Sequence, residues 1–282
     1  MNIKTVGVVG CGLMGSGIAQ VIAAAGYRTV VREVDDRALD AGLGRIRKFL
    51  ADGVTRGKVT PEQQATTLSH LTGTTSVADL RSCDLVIEAI VENLDAKRAI
   101  YAALDEVLHD STIVVSNTSS LCIMELAAAT RRPDRFAGVH FFNPVPLMKL
   151  VEVIRALTTT QQTYDTLLEF VRTLGKEPIS APDRPGFIVN RLLVPYLLDA
   201  IREYERGLGT IEDIDSGMKL GCGHPMGPFT LLDFVGLDTT YYIANIMFEE
   251  YREARFAPPP LLKRMVLAGH HGRKTKRGFY TY

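Results

Sequence analysis

The chain is 282 residues long, 46% hydrophobic and 23% charged, the balance of a protein able to bury one large core or two ordinary ones. Its 32 basic residues match 32 acidic ones, a net charge of zero that argues against the basic face or tail of a nucleic-acid binder. No apolar run approaches the ~20 residues of a membrane span, and the four cysteines, Cys11, Cys83, Cys122 and Cys222, make no CxxC pair, zinc set or disulfide framework.

In chain order, Met1-Asn2-Ile3-Lys4 enters a strand pattern at once and leaves no room for a signal peptide, so a cytoplasmic location is expected. Thr5–Val9 reads as a strand apolar on both faces, residues 13–25 as a helix stopped by Gly26, and Arg28–Arg32 as a second strand. Residues 36–69 carry about two helices of charged amphipathic sequence with a turn near Gly57-Lys58 and Pro61. This predicts a helical hairpin projecting from the sheet, and two readings stand for it: a solvated insertion or a flap over a bound ligand. Residues 84–89 and 112–116 are further strands, with a helix over 95–107 between them. The βαβ alternation predicts a Rossmann-type, doubly wound α/β sheet. Residues 137–142 and 150–154 continue in strand patterns.

The composition changes at Asp183-Arg184-Pro185-Gly186. Beyond it lie a long helical pattern over 187–206 and shorter ones over 211–220, 229–235 and 239–251. Two domains are therefore expected: a Rossmann domain over 1–184 and a smaller all-helical domain over 185–282. The helices of the second are few and apolar, which predicts a homodimer formed through it.

The run Gly10-Cys11-Gly12-Leu13-Met14-Gly15 directly follows a buried strand and opens a helix. Gly10 permits the tight turn, Gly12 lets a pyrophosphate approach the backbone, and Gly15 allows close helix–strand packing. The exposed amides of the helix start attract phosphate. At the end of the second strand stands Glu33, whose carboxylate can accept both ribose hydroxyls and would repel a 2′-phosphate. NAD is thus expected over NADP. Asp35 and Asp36 read as helix N-cap candidates, and Arg32 as pointing to the other face.

Oxidation of a hydroxyl requires a group to take its proton, and six histidines are available. His70 and His109 sit in polar stretches, His270 and His271 in a Gly- and Lys-rich tail, and His224 in a rigid turn. His140 ends an apolar strand, and twelve residues on Glu152 interrupts Leu150-Val151-Glu152-Val153-Ile154. A carboxylate inside a strand is costly unless paired, and His140 is its natural partner. The pattern alone fits a structural ion pair as well as a catalytic one.

Several motifs in order resemble one family. They are Gly-Leu-Met-Gly-Ser-Gly-Ile-Ala-Gln at 12–20, Ser116-Asn117-Thr118-Ser119-Ser120, His140-Phe141-Phe142-Asn143-Pro144, Lys149-Leu150-Val151-Glu152-Val153 and Pro185-Gly186-Phe187-Ile188-Val189-Asn190-Arg191. With His224-Pro225-Met226-Gly227-Pro228 and the closing Gly278-Phe279-Tyr280 they span essentially the whole chain and resemble the 3-hydroxyacyl-CoA dehydrogenases. The resemblance implies NAD-dependent, reversible oxidation of an (S)-3-hydroxyacyl-CoA thioester, with His140 as general base and Glu152 orienting it. It implies that Ser119 and Asn190 hydrogen-bond the substrate oxygens near C3, and that Glu92 and Lys97 contact the nicotinamide half. Ala89, Asn117, Ser119 and Asn143 complete the expected cofactor set.

In this family the hairpin contacts coenzyme A. Where relatives often place a serine and a lysine, this chain offers Arg45 and Asp52, a departure that leaves the binding cation open among Arg45, Lys48 and Arg56, with Arg47 and Lys58 nearby. Read without the family, Ser119 is a helix N-cap and Asn190 a packed polar residue. The length resembles short-chain, 3-hydroxybutyryl-CoA enzymes of butyrate or storage-polymer metabolism. A dicarboxylic substrate such as 3-hydroxyadipyl-CoA, or a free hydroxy or sugar acid, is the alternative. A non-catalytic, crystallin-like dinucleotide binder is disfavoured because Ser119, His140, Glu152 and Asn190 are all present.

Overall fold

The computed structural model describes residues 3–282, and the strand entry expected at Met1 and Asn2 lies outside them. β1 (Thr5–Val9) is buried along its whole length, as a strand with parallel neighbours on both sides requires. α1 (Leu13–Ala24) follows, and β2 (Arg28–Arg32) pairs in parallel with β1.

The predicted hairpin is α2 (Asp36–Thr55) and α3 (Pro61–Ser69). Asp35 caps α2 by accepting from Ala38 N at 2.7 Å, and Thr60 with Gln63 forms a capping box on α3. The base of the hairpin is packed rather than projecting. Leu39, Ile46 and Leu50 join the same core as β1 and α1, whereas the far end beyond Leu50 is mostly exposed. The hairpin feeds β3 (Leu71–Thr74), a strand absent from the sequence reading because it is short, contains a glycine and lies at the sheet edge.

β4 (Leu85–Glu88), α4 (Leu94–Asp105), β5 (Ile113–Ser116), α5 (Ile123–Ala127) and β6 (Phe136–Phe141) continue the alternation. β7 (Leu150–Arg155), α6 (Gln161–Thr173) and β8 (Glu177–Pro182) end it. The sheet has eight strands in the order β3-β2-β1-β4-β5-β6-β7-β8. Its Rossmann-type core is parallel through β6, then β7 runs antiparallel to β6 and β8 parallel to β7, which makes the sheet mixed. Two features follow for the site. The order reverses at β1, between β2 and β4, opening a crevice at the carboxyl ends of those strands. The antiparallel step sets His140 opposite Glu152 in register.

Contact clustering separates a first compact unit, through Thr118 with Cys122–Arg184, from a second formed by Ser119–Leu121 and Pro185–Tyr282. The second unit holds α7 (Val189–Glu205), α8 (Ile211–Cys222), α9 (Pro228–Val235), α10 (Leu237–Tyr251) and α11 (Pro260–Leu267). Its core is built on Leu198, Ile201, Phe229, Leu232, Ala244 and Met247. α7 starts later than the apolar pattern suggests, because Phe187 is left-handed at φ +46. Its ring is 1% exposed, and burying a phenyl group offsets a backbone strain of ~1–3 kcal/mol. Asp215 caps α9, accepting from Phe229 N at 2.7 Å and Thr230 N at 2.9 Å. Asp233 accepts from Phe279 N and Tyr280 N, both at 2.9 Å, and so ties the chain's end to α9. Among the described residues no helix is long and apolar enough to cross a membrane.

Candidate active site

The glycine loop leaves β1 at Gly10, φ +92, where a Cβ would stand 2.6 Å from the Ala89 carbonyl. A Cβ on Gly15 would lie 1.8 Å from the Gly10 oxygen, so neither position admits a side chain. Gly12 faces open space, with nothing within 4 Å of its built Cβ, and it begins α1 without a side-chain cap. The result is a bare helix N-terminus under an open glycine, a cradle that fits a pyrophosphate. Leu13 is exposed and Met14 half-buried beside it.

Glu33 stands at the edge of this cradle, accepting from Cys11 N at 2.6 Å and Val34 N at 2.9 Å. Cys11 itself is buried, and burial pushes its thiol up to about 11. It is therefore a protonated packing residue.

At the end of β4, Glu88 is 0% exposed and saturated with donors: Lys97 Nζ at 2.7 Å, Tyr101 Oη at 2.6 Å, Ser116 Oγ at 2.7 Å and Ile90 N at 2.8 Å. Burial, then the Glu88 charge, pushes the Tyr101 phenol well above its ordinary value. Lys97, expected against the cofactor, is turned inward instead. It is 1% exposed, and its ammonium bridges Glu88 and Glu92, the latter at 3.2 Å. Glu92 also accepts from Thr118 Oγ1. Glu88 is a buried carboxylate beside the glycine loop that sequence reading missed. Its signal was present, a carboxylate closing the apolar run Leu85-Val86-Ile87-Glu88.

His140 and Glu152 are brought together as a pair. Nδ1 lies 2.7 Å from Oε2, with His140 6% and Glu152 0% exposed. A carboxylate only accepts, so a hydrogen bond to ionised Glu152 requires the tautomer with the proton on Nδ1. The Phe142 ring packs 4.5 Å from the imidazole, centroid to centroid. Asn117 serves this corner from just beyond β5: its Oδ1 accepts from Phe141 N at 2.9 Å, holding the end of β6. An imidazole oriented by a buried carboxylate can act as a general base and be stabilised as the cation.

Beyond β6, Asn143 is exposed and joined to Pro144 by a cis peptide. Lys176, 8% exposed, donates to the carbonyls of Val145 at 2.6 Å and Met148 at 2.7 Å and pins this loop. Between the loop, α1 and α2 lies a cleft of about 240 Å³, lined by Leu13, Phe49 and Pro146 with Arg45, Lys48 and Asp52 among its polar groups. Arg56 is exposed at the end of α2 and does not line it. In the second unit Ser119 is half-buried in the segment Ser119–Leu121, and Asn190 is half-buried in the first turn of α7. The cap of α5 is Cys122, not Ser119.

Comparison with known proteins converges. Residues 5–184 match the NAD-binding domain of 3-hydroxyacyl-CoA dehydrogenases and residues 186–282 their C-terminal domain. The chain is 51% identical to a 3-hydroxybutyryl-CoA dehydrogenase of Mycobacterium tuberculosis over 99% of both chains. It is 49% identical to the human mitochondrial hydroxyacyl-coenzyme A dehydrogenase over 99% of this chain and 91% of that one. The crystal structure of (S)-3-hydroxybutyryl-CoA dehydrogenase from Ralstonia eutropha superposes with a TM-score of 0.96 at 43% identity, covering 100% of this chain and 99% of the other.

Proposed function

The chain belongs to the 3-hydroxyacyl-CoA dehydrogenase family and is an NAD-dependent oxidoreductase of that kind; on this premise we propose a short-chain enzyme that oxidises (S)-3-hydroxybutyryl-CoA reversibly to its 3-oxo thioester, with His140 as general base. NAD, when bound, supplies the hydride acceptor; Gly10, Gly12 and Gly15 would hold its pyrophosphate and Glu33 its adenosine ribose. His140 gives its Nδ1 proton to the hydrogen bond with Glu152, so exchange with the C3 hydroxyl runs through Nε2. As the carbonyl forms, the hydroxyl proton passes to that nitrogen, and the Glu152 carboxylate stabilises the imidazolium. Ser119 and Asn190 are assigned the substrate oxygens near C3, and Glu92 the nicotinamide side with Lys97 holding it. The CoA moiety is assigned to the cleft with Arg45 and Lys48, and outside the cleft to Arg56 at the far end of α2. We further assign residues 1–184 to cofactor binding, residues 185–282 to substrate contacts and a homodimer, and the protein to the cytoplasm.

The observation that carries the mechanism is the buried 2.7 Å pairing of His140 with Glu152 across a strand register. Its test is His140→Gln, which keeps a polar side chain and removes the titrating ring. Turnover should fall ~10²–10⁴-fold while NADH affinity persists; near-normal turnover would refute the assignment. Initial rates of 3-oxoacyl-CoA reduction across chain lengths, with NADH and NADPH in parallel, test the substrate and cofactor choice. A maximum at four carbons with NADH is the expected result.

A further inference from the structure

One side chain in the cleft faces two ways. Arg45 rises from α2 onto the glycine loop, where Nη2 donates to the Cys11 carbonyl, and the same side chain lines the cleft beside Lys48 and Phe49. Helix and loop touch directly there: a Cβ on Gly42 would stand 2.3 Å from the Cys11 sulfur and 2.5 Å from its carbonyl oxygen. The amide of Cys11 in turn donates to Glu33 at 2.6 Å. One loop peptide residue thus has its N–H on the carboxylate assigned to the ribose and its C=O on a guanidinium at the CoA seat. A guanidinium carries five N–H donors in a planar fork. Holding a carbonyl with one nitrogen leaves it equipped to take an oxyanion with another.

We propose that Arg45 couples the two binding events. An anionic group of CoA in the cleft fixes the guanidinium, the guanidinium fixes the Cys11 peptide, and the loop then holds the dinucleotide more tightly. This rests on the reading of the cleft as the CoA seat. Coupling is reciprocal by linkage, so the dinucleotide tightens CoA by the same factor. Arg45 acts here as a positioning residue, and lysine is not its equivalent, because a single ammonium lacks the rigid planar fork that presents N–H donors on separate nitrogens to two acceptors.

The test titrates NADH by fluorescence with and without saturating free CoA, and CoA itself, in wild type, Arg45→Met, Arg45→Lys, Lys48→Met and Phe49→Ala. Wild type should bind NADH about 5-fold or more tighter with CoA present, the lower range of common allosteric couplings. Both Arg45 variants should bring that ratio to near one. Lys48→Met should need more CoA to saturate and then keep the wild-type ratio. A purely structural Arg45 would weaken NADH equally with and without CoA and leave the ratio intact, which overturns the coupling alone. A wild-type ratio of one overturns it as well. A CoA affinity unchanged in both Lys48→Met and Phe49→Ala removes the cleft as the CoA seat, and the coupling falls with it.

Discussion

Two carboxylates in the same sheet are 0% exposed, Glu88 at the end of β4 and Glu152 within β7, and they differ in what meets their charge. Glu88 is held by a lysine, a phenol, a hydroxyl and a backbone amide, all within 2.8 Å. Glu152 faces an imidazole at 2.7 Å, the side-chain type that changes charge near neutrality. Both carboxylates bear the same desolvation, which is tolerable only with a partner. What differs is whether the partner's charge is permanent. At Glu88 the network fixes geometry around the end of β4; at Glu152 the partner is the side chain proposed above as the base, whose own charge can change.

The comparison breaks if the two residues prove interchangeable in their effects. Glu152→Gln keeps the shape and removes the charge, and its amide NH2 can donate to Nδ1 and impose the other tautomer. Turnover should drop ~10²–10⁴-fold, with NADH affinity and unfolding midpoint little changed. Wild-type turnover in this variant would reduce the pair to a structural ion pair. Glu88→Gln should do the reverse. Removing Glu88 leaves the buried Lys97 ammonium with the longer contact to Glu92 alone, a loss of up to ~3–5 kcal/mol of stability, readable by urea denaturation, with far less change in turnover. Adding Lys97→Met removes the ammonium that has lost its nearer carboxylate, so the double variant should be more stable than Glu88→Gln alone. A double variant no better than the sum of the singles would show that Lys97 and Glu88 do not act as a unit.

The comparison also shows how far residues alone reveal a site. The glycine loop was legible because its spacing follows from backbone sterics: Gly10 and Gly15 tolerate no Cβ. Glu152 was legible because one carboxylate broke an apolar run. Glu88 carries the same signal, but the lysine, phenol and hydroxyl that meet it stand 9, 13 and 28 residues further on, and only the fold brings them together. Lys97 and Lys176 were not legible as buried groups. Each sits among polar neighbours in sequence, and only tertiary packing decides that Lys97 is 1% and Lys176 8% exposed. The edge strand β3 and the strand β8 escaped for a related reason, as short or polar segments whose pairing is set by neighbours remote in sequence. The fold class needed only periodicity, but the antiparallel turn to β7, which gives His140 its partner, is a property of the whole sheet.

Lys176 offers the smallest and most exacting extension, a buried charge met by carbonyl dipoles rather than by a counter-charge. Its ammonium donates to Val145 O at 2.6 Å and Met148 O at 2.7 Å, and burial lowers its pKa below the ordinary lysine value. The sign of the pH effect follows from that direction. Below the folded-state pKa both states are protonated and the penalty of burying the charge is constant. Between that value and the unfolded one, ~10.4, the unfolded chain binds more protons, so stability contributed by this residue rises with pH. Lys176→Met abolishes this dependence and leaves two carbonyls without their donor, at a cost of ~1–3 kcal/mol near neutrality. The stability gap between wild type and variant should be flat at neutral pH and widen in the alkaline window. Because the pinned loop walls the cleft, the KM for acyl-CoA should rise more than kcat falls. A gap that stays flat into the alkaline range, with KM unmoved, would mean that the amine is solvated and the loop stands without it.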